Sequence, residues 1–128
     1  MRAHSRPIHR SALALILLAA LCTGSAALLA AEPALQKVEA KKVCMVNDAV
    51  FGKDQIPVEV QGRTYYGCCE MCKGRLANDE TARTAVDPVT GKKVDKAVAV
   101  IGAKADGSVL YFENEKTFAE FLAKGDKK

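Results

Sequence analysis

Residues 56–78 read IPVEVQGRTYYGCCEMCKGRLAN and begin with two strand-like segments joined by a turn. Ile56–Val60 and Arg63–Gly67 partly alternate apolar and polar residues, which is typical of half-buried strands. The dipeptide Gln61-Gly62 between them indicates a hairpin turn. These segments predict a two-stranded hairpin.

A helix is predicted directly after this hairpin, over residues 69–78. Cys72 and Leu76 lie four residues apart, so they share one face of that helix. Hairpin and helix together predict a small ββα unit whose helix begins among cysteines.

A second segment repeats this order of elements. It contains a strand at 98–103, the turn dipeptide Asp106-Gly107, a strand at Val109–Phe112, the N-cap Asn114 and an amphipathic helix at Glu115–Lys124 with Phe118, Phe121 and Leu122 apolar. An offset of 45 residues pairs Gly62 with Gly107, Tyr66 with Tyr111 and Glu70 with Glu115. We interpret the second segment as a copy of the first, with chance similarity as the alternative because few aligned positions are identical.

The predicted fold class is α+β, a small tandem of two ββα (zinc-finger-like) units, the second lacking its cysteines. In the alignment Glu113 and Thr117 stand where the first unit has Cys68 and Cys72, and Thr90 stands opposite Cys44 when one residue of slippage is allowed. The predicted boundaries are a leader at 1–31, a polar linker at 32–42, the cysteine-containing unit at 43–86, the cysteine-free repeat at 87–124 and a tail at 125–128. One apolar core set is expected in each unit, drawn from Tyr65, Tyr66, Tyr111, Phe112, Phe118 and Phe121.

The N-terminal region has the composition of a secretory signal peptide. A basic segment at 1–10 precedes an apolar segment at 12–22 and a run of small residues at 23–31, with cleavage expected after Ala27, Ala30 or Ala31. A retained membrane anchor is the alternative, because residues 11–31 are uncharged. A lipoprotein cysteine at Cys22 is disfavoured by the bulky Leu21 before it. All these alternatives place the domain in the periplasm or outside the cell, and they give it no membrane contact beyond a retained anchor.

Composition excludes several classes of function. The 128 residues carry a formal net charge of +4, and three arginines of the leader supply most of this excess. Both histidines, His4 and His9, also lie in the leader, so a mature domain lacks the histidine that Ser-His-Asp or Cys-His catalysis and His-ligated zinc require. Near-balanced charge gives no reason to expect nucleic acid as a partner, and no catalytic activity is expected.

Four cysteines remain after the leader, and all lie within residues 44–72. Cys44 is followed by 23 residues and then by Cys68-Cys69-Glu70-Met71-Cys72. Cys68 and Cys72 are one helical turn apart, so their sulfurs lie on the same side, and Cys44 would have to return to that point from a distant loop. Thiolates are the preferred ligands of Cu(I) and bind Zn(II) well, and a helix N-terminus favours their ionisation.

This spacing resembles the TRASH and YHS families of small heavy-metal-binding domains. Their pattern is a first cysteine, about twenty residues, and then two cysteines separated by three, which Cys44, Cys68 and Cys72 match with a slightly longer gap. The segment at 87–91 looks like the opening of a YHS domain, with Thr90 in place of its cysteine. The resemblance implies a hairpin-and-helix finger used in metal trafficking, resistance or sensing, with Cys44, Cys68 and Cys72 as metal ligands and a structural second unit.

Four further residues are open candidates for the same site. Cys69 is either a fourth ligand or a thiol that points away. Met45 and Met71 are either thioether ligands for Cu(I) or core filler. Asp48 is either a weak oxygen ligand or a surface loop residue.

Two other interpretations compete with a metal site. Four cysteines in an exported domain commonly form two disulfides, although a Cys68–Cys69 bridge would be strained. Cys69-Glu70-Met71-Cys72 also has the spacing of a thiol oxidoreductase, but the chain has no Trp and no βαβ pattern surrounds the motif. The preferred prediction is an exported protein that holds a soft metal ion, Cu(I) or Zn(II), for trafficking, sequestration or resistance, with a metal donor or acceptor protein as partner. A purely structural zinc site is its variant.

Overall fold

Residues 34–125 are the part of the chain that the computed structural model describes, and they belong to a single folded unit. The strands are β1 (Gln36–Val38), β2 (Val43–Cys44), β3 (Ala49–Val50), β4 (Ile56–Val60), β5 (Arg63–Gly67), β6 (Thr84–Val86), β7 (Lys93–Asp95), β8 (Val100–Ala103) and β9 (Val109–Phe112). The α-helices are α1 (Glu70–Asn78) and α2 (Glu115–Lys124), and short 3-10 helices span Ala40–Lys42 and Glu80–Arg83. The mixed α+β class predicted from the sequence is confirmed at this level.

Each α-helix follows an antiparallel hairpin. β4 pairs with β5 around Gln61 and Gly62, whose φ angles of 50° and 76° are the left-handed conformations that a tight hairpin turn requires. β8 pairs with β9, and Asn114 caps α2 in a reciprocal capping box with Thr117. That the two segments are copies of one unit stays a prediction.

The stretch expected to be a polar linker at 32–42 instead enters the fold. β1 pairs with β8, Lys37 opposite Gly102, and extends the second hairpin to the three-stranded sheet β1-β8-β9. Leu35 is only 2 % exposed and packs with Phe112 and Phe118. The linker prediction is therefore corrected from Leu35 onwards: two apolar anchors, Leu35 and Val38, suffice to dock a segment whose other residues are polar.

The hydrophobic core does not divide into one set per predicted unit. The larger cluster mixes residues from both halves: Val43, Met45, Val58, Tyr65, Leu76, Ala82, Val94, Ile101, Val109 and Tyr111. The smaller cluster contains Leu35, Phe112 and Phe118, and the two phenylalanine rings meet edge to face with centroids 5.3 Å apart. The two predicted units therefore share a core, so neither buries its apolar face alone.

Gly102 lies where the three-stranded sheet meets Leu35 and α2. A Cβ at this position would lie 2.4 Å from Leu35 Cδ2 and 2.9 Å from Phe118 Cε2. We expect Gly102→Ala to lower the free energy of unfolding by about 1–3 kcal/mol, because neighbouring side chains must leave their positions. Urea denaturation measures the change, and Gly52→Ala is the control because a Cβ there meets nothing within 4 Å. Equal midpoints for the two variants would contradict this packing.

The loop between β6 and β7 is organised by the buried carboxylate of Asp87. Its oxygens accept from the backbone N–H groups of Val89 and Glu113, each at 2.7 Å, and of Thr90 at 3.2 Å. Burial alone would raise the pKa of this carboxyl, but these donors and the Thr117 hydroxyl outweigh it and lower the pKa. The Asp87 carboxylate thus contacts all three residues that the alignment placed opposite the cysteines, namely Thr90, Glu113 and Thr117.

Asp87 should make stability depend on pH in a defined direction. Its folded-state pKa lies below the ordinary 3.8, so it stabilises the fold above that pH, and this contribution is lost as the pH falls through the folded-state pKa. We expect Asp87→Asn to cost about 1–3 kcal/mol at neutral pH, since an amide has one acceptor oxygen instead of two. Urea denaturation from pH 7 downwards should show the gap to wild type narrowing below about pH 4. Asp106→Asn, in an exposed turn, is the control, and a constant gap would argue against this role for Asp87.

The predicted leader at 1–31, including Cys22 and the cleavage positions, lies outside the described residues, as do residues 126–128 of the predicted tail. Within residues 34–125, neither α1 nor α2 has the length and apolar character needed to cross a bilayer.

Candidate metal centre

Three cysteine sulfurs converge at the N-terminus of α1. The Sγ atoms of Cys44, Cys68 and Cys72 all lie within 4.8 Å of one another, and Cys68 Sγ is 3.5 Å from Cys72 Sγ. They come from three places, namely β2, the link between β5 and α1, and the first turn of α1. The three residues that the sequence predicted as ligands are therefore close enough to hold one metal ion.

Backbone hydrogen bonds bring the Cys44 loop to this point. β2 and β3 form a short hairpin with Cys44 opposite Ala49, and the N–H of Met45 donates to the Tyr66 carbonyl oxygen at 2.9 Å. This hydrogen bond between Met45 and Tyr66 ties the residue after Cys44 to β5, the strand that leads into Cys68. The convergence expected from spacing alone is thus produced by pairing between the loop and β5.

Gly67 allows the end of β5 to approach α1 closely. A Cβ at Gly67 would lie 3.1 Å from the Cys72 Cβ and 3.2 Å from the Lys73 backbone nitrogen, which is tighter than most side chains tolerate. The lack of a side chain at Gly67 therefore helps to set the separation of Cys68 and Cys72. A glycine directly before a cysteine pair is a signal that the sequence carries and that motif spacing overlooks.

Within the group of three cysteines, the local electrostatics lowers the pKa of one thiol and raises the pKa of the other two. Burial raises the pKa of Cys44, but the backbone N–H groups of Asn47 and Val46 near its sulfur outweigh burial and lower the pKa overall. Burial and the neighbouring thiols raise the pKa of Cys72 to about 12, and interaction with Cys44 raises that of Cys68. Two unit charges about 4 Å apart repel by roughly 4 kcal/mol at an effective dielectric constant near 20. Three thiolates here therefore need a bound cation to compensate them.

Asn47 is a site residue that sequence reasoning missed. Its Nδ2 donates to Cys68 Sγ at 3.5 Å, and its backbone N–H lies near the Cys44 sulfur. N–H groups that contact sulfur orient a ligating thiolate and tune its donor strength. The contact depends on the turn after β2, so no cysteine spacing could predict it.

Behind the Cys44 loop lies a partly buried polar network, defined by Lys96, Asp48 and Tyr111. Lys96 is only 4 % exposed, and its Nζ donates to the Met45 carbonyl oxygen at 2.7 Å and to Asp48 Oδ1 at 2.6 Å. The Tyr111 hydroxyl donates to the same carboxylate oxygen at 2.9 Å, and burial raises the pKa of that phenol. Asp48 has a φ of 50°, a left-handed conformation that the network holds in place. Asp48 thus fixes the loop from the protein side and does not join the three-sulfur group.

The other open candidates take different positions. Met45 is fully buried in the larger core cluster, which agrees with the core-filler interpretation. Met71 is 84 % exposed on α1.

Cys69 is exposed, is the N-cap residue of α1 and does not belong to the mutually close group of three. Its pKa is lowered because the backbone N–H of Cys72 faces its sulfur, although no side-chain hydrogen bond caps the helix there. All four cysteines in residues 34–125 are free thiols in this structure.

Comparison with known proteins adds no relative to this description. The resemblance to the TRASH and YHS families accordingly rests on the sequence pattern alone, namely the cysteine spacing and the segment at 87–91. No family model matches the chain, and neither the curated proteins nor the solved structures provide a match.

Proposed function

We propose that this protein binds one soft metal ion, Cu(I) or Zn(II), through the thiolates of Cys44, Cys68 and Cys72. The observation that carries the proposal is that three sulfurs from separate segments lie within 4.8 Å of one another. Within residues 34–125 no second group of His, Cys, Asp or Glu has its ligand atoms this close together. A thiolate set without histidine or carboxylate favours soft ions over Mg²⁺, Ca²⁺ and Mn²⁺.

The ligand number bears on which ion the site prefers. Three thiolates complete the coordination of Cu(I), whereas Zn(II) in a structural site takes four ligands. Zn(II) would therefore recruit Cys69 as a fourth ligand or keep a solvent ligand. The partly exposed position of Cys68 leaves the site accessible from outside, which supports a carrier or a sequestering protein over a sealed structural site.

The biological setting follows from the predicted leader. We propose that the domain acts in the periplasm or outside the cell, in trafficking, sequestration or resistance, and receives or delivers its ion through a donor or acceptor protein. No catalytic step is part of this proposal. Cys68 and Cys72, whose sulfurs are 3.5 Å apart, are close neighbours, so the disulfide alternative leads to a definite bridge between them.

One experiment separates these alternatives. The full chain, purified without oxygen, is titrated with Cu(I) and in parallel with Zn(II), and the protected thiols are mapped by alkylation and mass spectrometry. We expect one ion per chain, with Cys44, Cys68 and Cys72 protected and Cys69 reactive in the Cu(I) form. Protection of Cys69 by zinc would identify a four-thiolate zinc site. A metal-free product with a Cys68–Cys72 bridge that resists mild reductant would refute metal binding.

Asn47 should tune the affinity without contributing a ligand. We expect Asn47→Ala to weaken metal binding by about 10–100-fold, the range typical for residues that hydrogen-bond to ligands. A competition titration against a chelator measures the change. The matched control is Asn78→Ala, because the Asn78 side chain donates to the Gly74 carbonyl within α1. Equal affinities for the two variants would show that the contact with Cys68 has no effect on the metal.

A further inference from the structure

We propose that Cys69 is the exchange ligand of this site, the thiol that first takes the incoming metal ion and last releases it. The inference rests on the proposed function and adds the route by which the ion enters and leaves. The four sulfurs form a graded series from inside to outside: Cys44 and Cys72 are buried, Cys68 is half-buried and Cys69 is exposed. Cys69 is therefore the cysteine of the four that is most open to an ion arriving from solvent.

Two overlapping sets of three sulfurs share Cys68 and Cys72. The inner set adds Cys44, and its members lie within 4.8 Å of one another. The outer set adds Cys69, which is the neighbour of Cys68 in the chain, precedes Cys72 by three residues and lies outside the inner group. An ion can therefore move between the two sets by exchanging one ligand while keeping the other two.

The exchange replaces one sulfur ligand by another and needs no redox partner. The ion is first bound by Cys68, Cys69 and Cys72, whose thiol protons pass to water or to the donor's departing ligands as the metal–sulfur bonds form and the bonds to the donor break. The Cys44 sulfur then forms a bond to the metal, its thiol proton passing to water, while the bond to Cys69 breaks and Cys69 takes up a proton. The oxidation state of the metal does not change. Release follows the same steps in reverse.

The position of Cys69 suits this role mechanically. As the N-cap it has extended backbone angles, φ −155° and ψ 171°, and so it lies outside the first turn of α1. Its sulfur can turn towards solvent or towards the site without disturbing the helix that holds Cys72. Cys68 and Cys72 stay bound throughout, which keeps the ion from being lost between steps.

The test compares rates with equilibria in the full chain. Cys69→Ser and Cys69→Asn both place a good N-cap residue at this position, so α1 is retained. Cu(I) is transferred from a coloured Cu(I)–chelator complex in a stopped-flow instrument, and back again with excess chelator. We expect an unchanged stoichiometry and equilibrium distribution, with both rates lowered by at least about tenfold, equivalent to about 1.4 kcal/mol in the barrier. Loading and release must slow by the same factor, since the equilibrium does not change.

A matched control removes the other exposed sulfur near the start of α1. Met71→Leu should leave both rates unchanged if Cys69 is the exchange ligand. Unchanged rates in both Cys69 variants would overturn the inference, and so would loss of Cu(I) stoichiometry in them, because Cys69 would then be a permanent ligand. Failure of the wild-type chain to bind Cu(I) would instead refute the proposed function itself.

Discussion

Cys72→Ser should abolish stable metal binding, with Cu(I) affinity falling by ~1000-fold or more, which corresponds to about 4 kcal/mol. Cys72 belongs to the one group of three mutually close ligands within residues 34–125, so its loss leaves two sulfurs there. A serine hydroxyl is a poor ligand for a soft ion, and at neutral pH it stays protonated. Chelator competition under anaerobic conditions measures the affinity, and Cys69→Ser is the control with an unchanged equilibrium constant. Retention of tight binding by Cys72→Ser would refute the three-thiolate site.

The pH dependence of metal binding follows from the same cysteines. Metal ions bind thiolates, so protons and metal compete, and affinity should fall as the pH is lowered. The raised pKa of Cys72, about 12 without metal, means that binding releases a proton from this thiol throughout the neutral range. Proton release on addition of Cu(I), measured in weakly buffered solution, should shrink in Cys72→Ser. An undiminished release would show that Cys72 does not ionise on binding.

Asp48→Asn should destabilise the fold by about 3 kcal/mol, because it leaves the Lys96 ammonium buried without its carboxylate. Asparagine tolerates the left-handed φ at this position, so the change isolates the lost charge. The backbone loop that carries Cys44 is held by the same group, since Lys96 also binds the Met45 carbonyl oxygen. Urea denaturation should show the lower free energy of unfolding. Metal affinity should also weaken, because the loop that carries Cys44 is held less firmly.

A surface pair provides the comparison for this network. Asp54→Asn removes a carboxylate that pairs with Lys42 on the exposed face and should change the free energy of unfolding little, because solvent screens this pair. The double variant Asp48→Asn/Lys96→Met should recover part of the loss, because it leaves no buried charge unpaired. If Asp48→Asn lowered the free energy of unfolding no more than Asp54→Asn does, Lys96 would have to find another partner.

Local patterns predicted the parts of the fold that are built locally. Gln61-Gly62 and the partial alternation around it located β4 and β5, and Asn114 located the start of α2. β1 was not predicted, because Leu35 and Val38 stand among polar residues and its partner β8 lies far along the chain. Strands of two or three residues, such as β2 and β3, are too short to show a period.

The candidate site likewise contains residues that the sequence predicts and residues that only the fold reveals. Cysteine spacing led to Cys44, Cys68 and Cys72, and the structure brings them together. The supporting residues could not be predicted, since Asn47 and Lys96 act through tertiary contacts. A lysine that is 4 % exposed runs against its ordinary preference for the surface, so only the fold reveals it.

The docking of the Cys44 loop on the second hairpin has a consequence for the order of folding. The N–H of Val50 donates to the Gly107 carbonyl oxygen, and the N–H of Val109 donates to that of Asp48, each at 2.9 Å. These residues are far apart in sequence, and long-range pairing forms slowly. A nascent chain therefore displays reduced, unassembled thiols until its last hairpin has been synthesised. During that interval the cysteines are open to oxidation, so the timing of metal supply matters to the newly made protein as well as to the mature one.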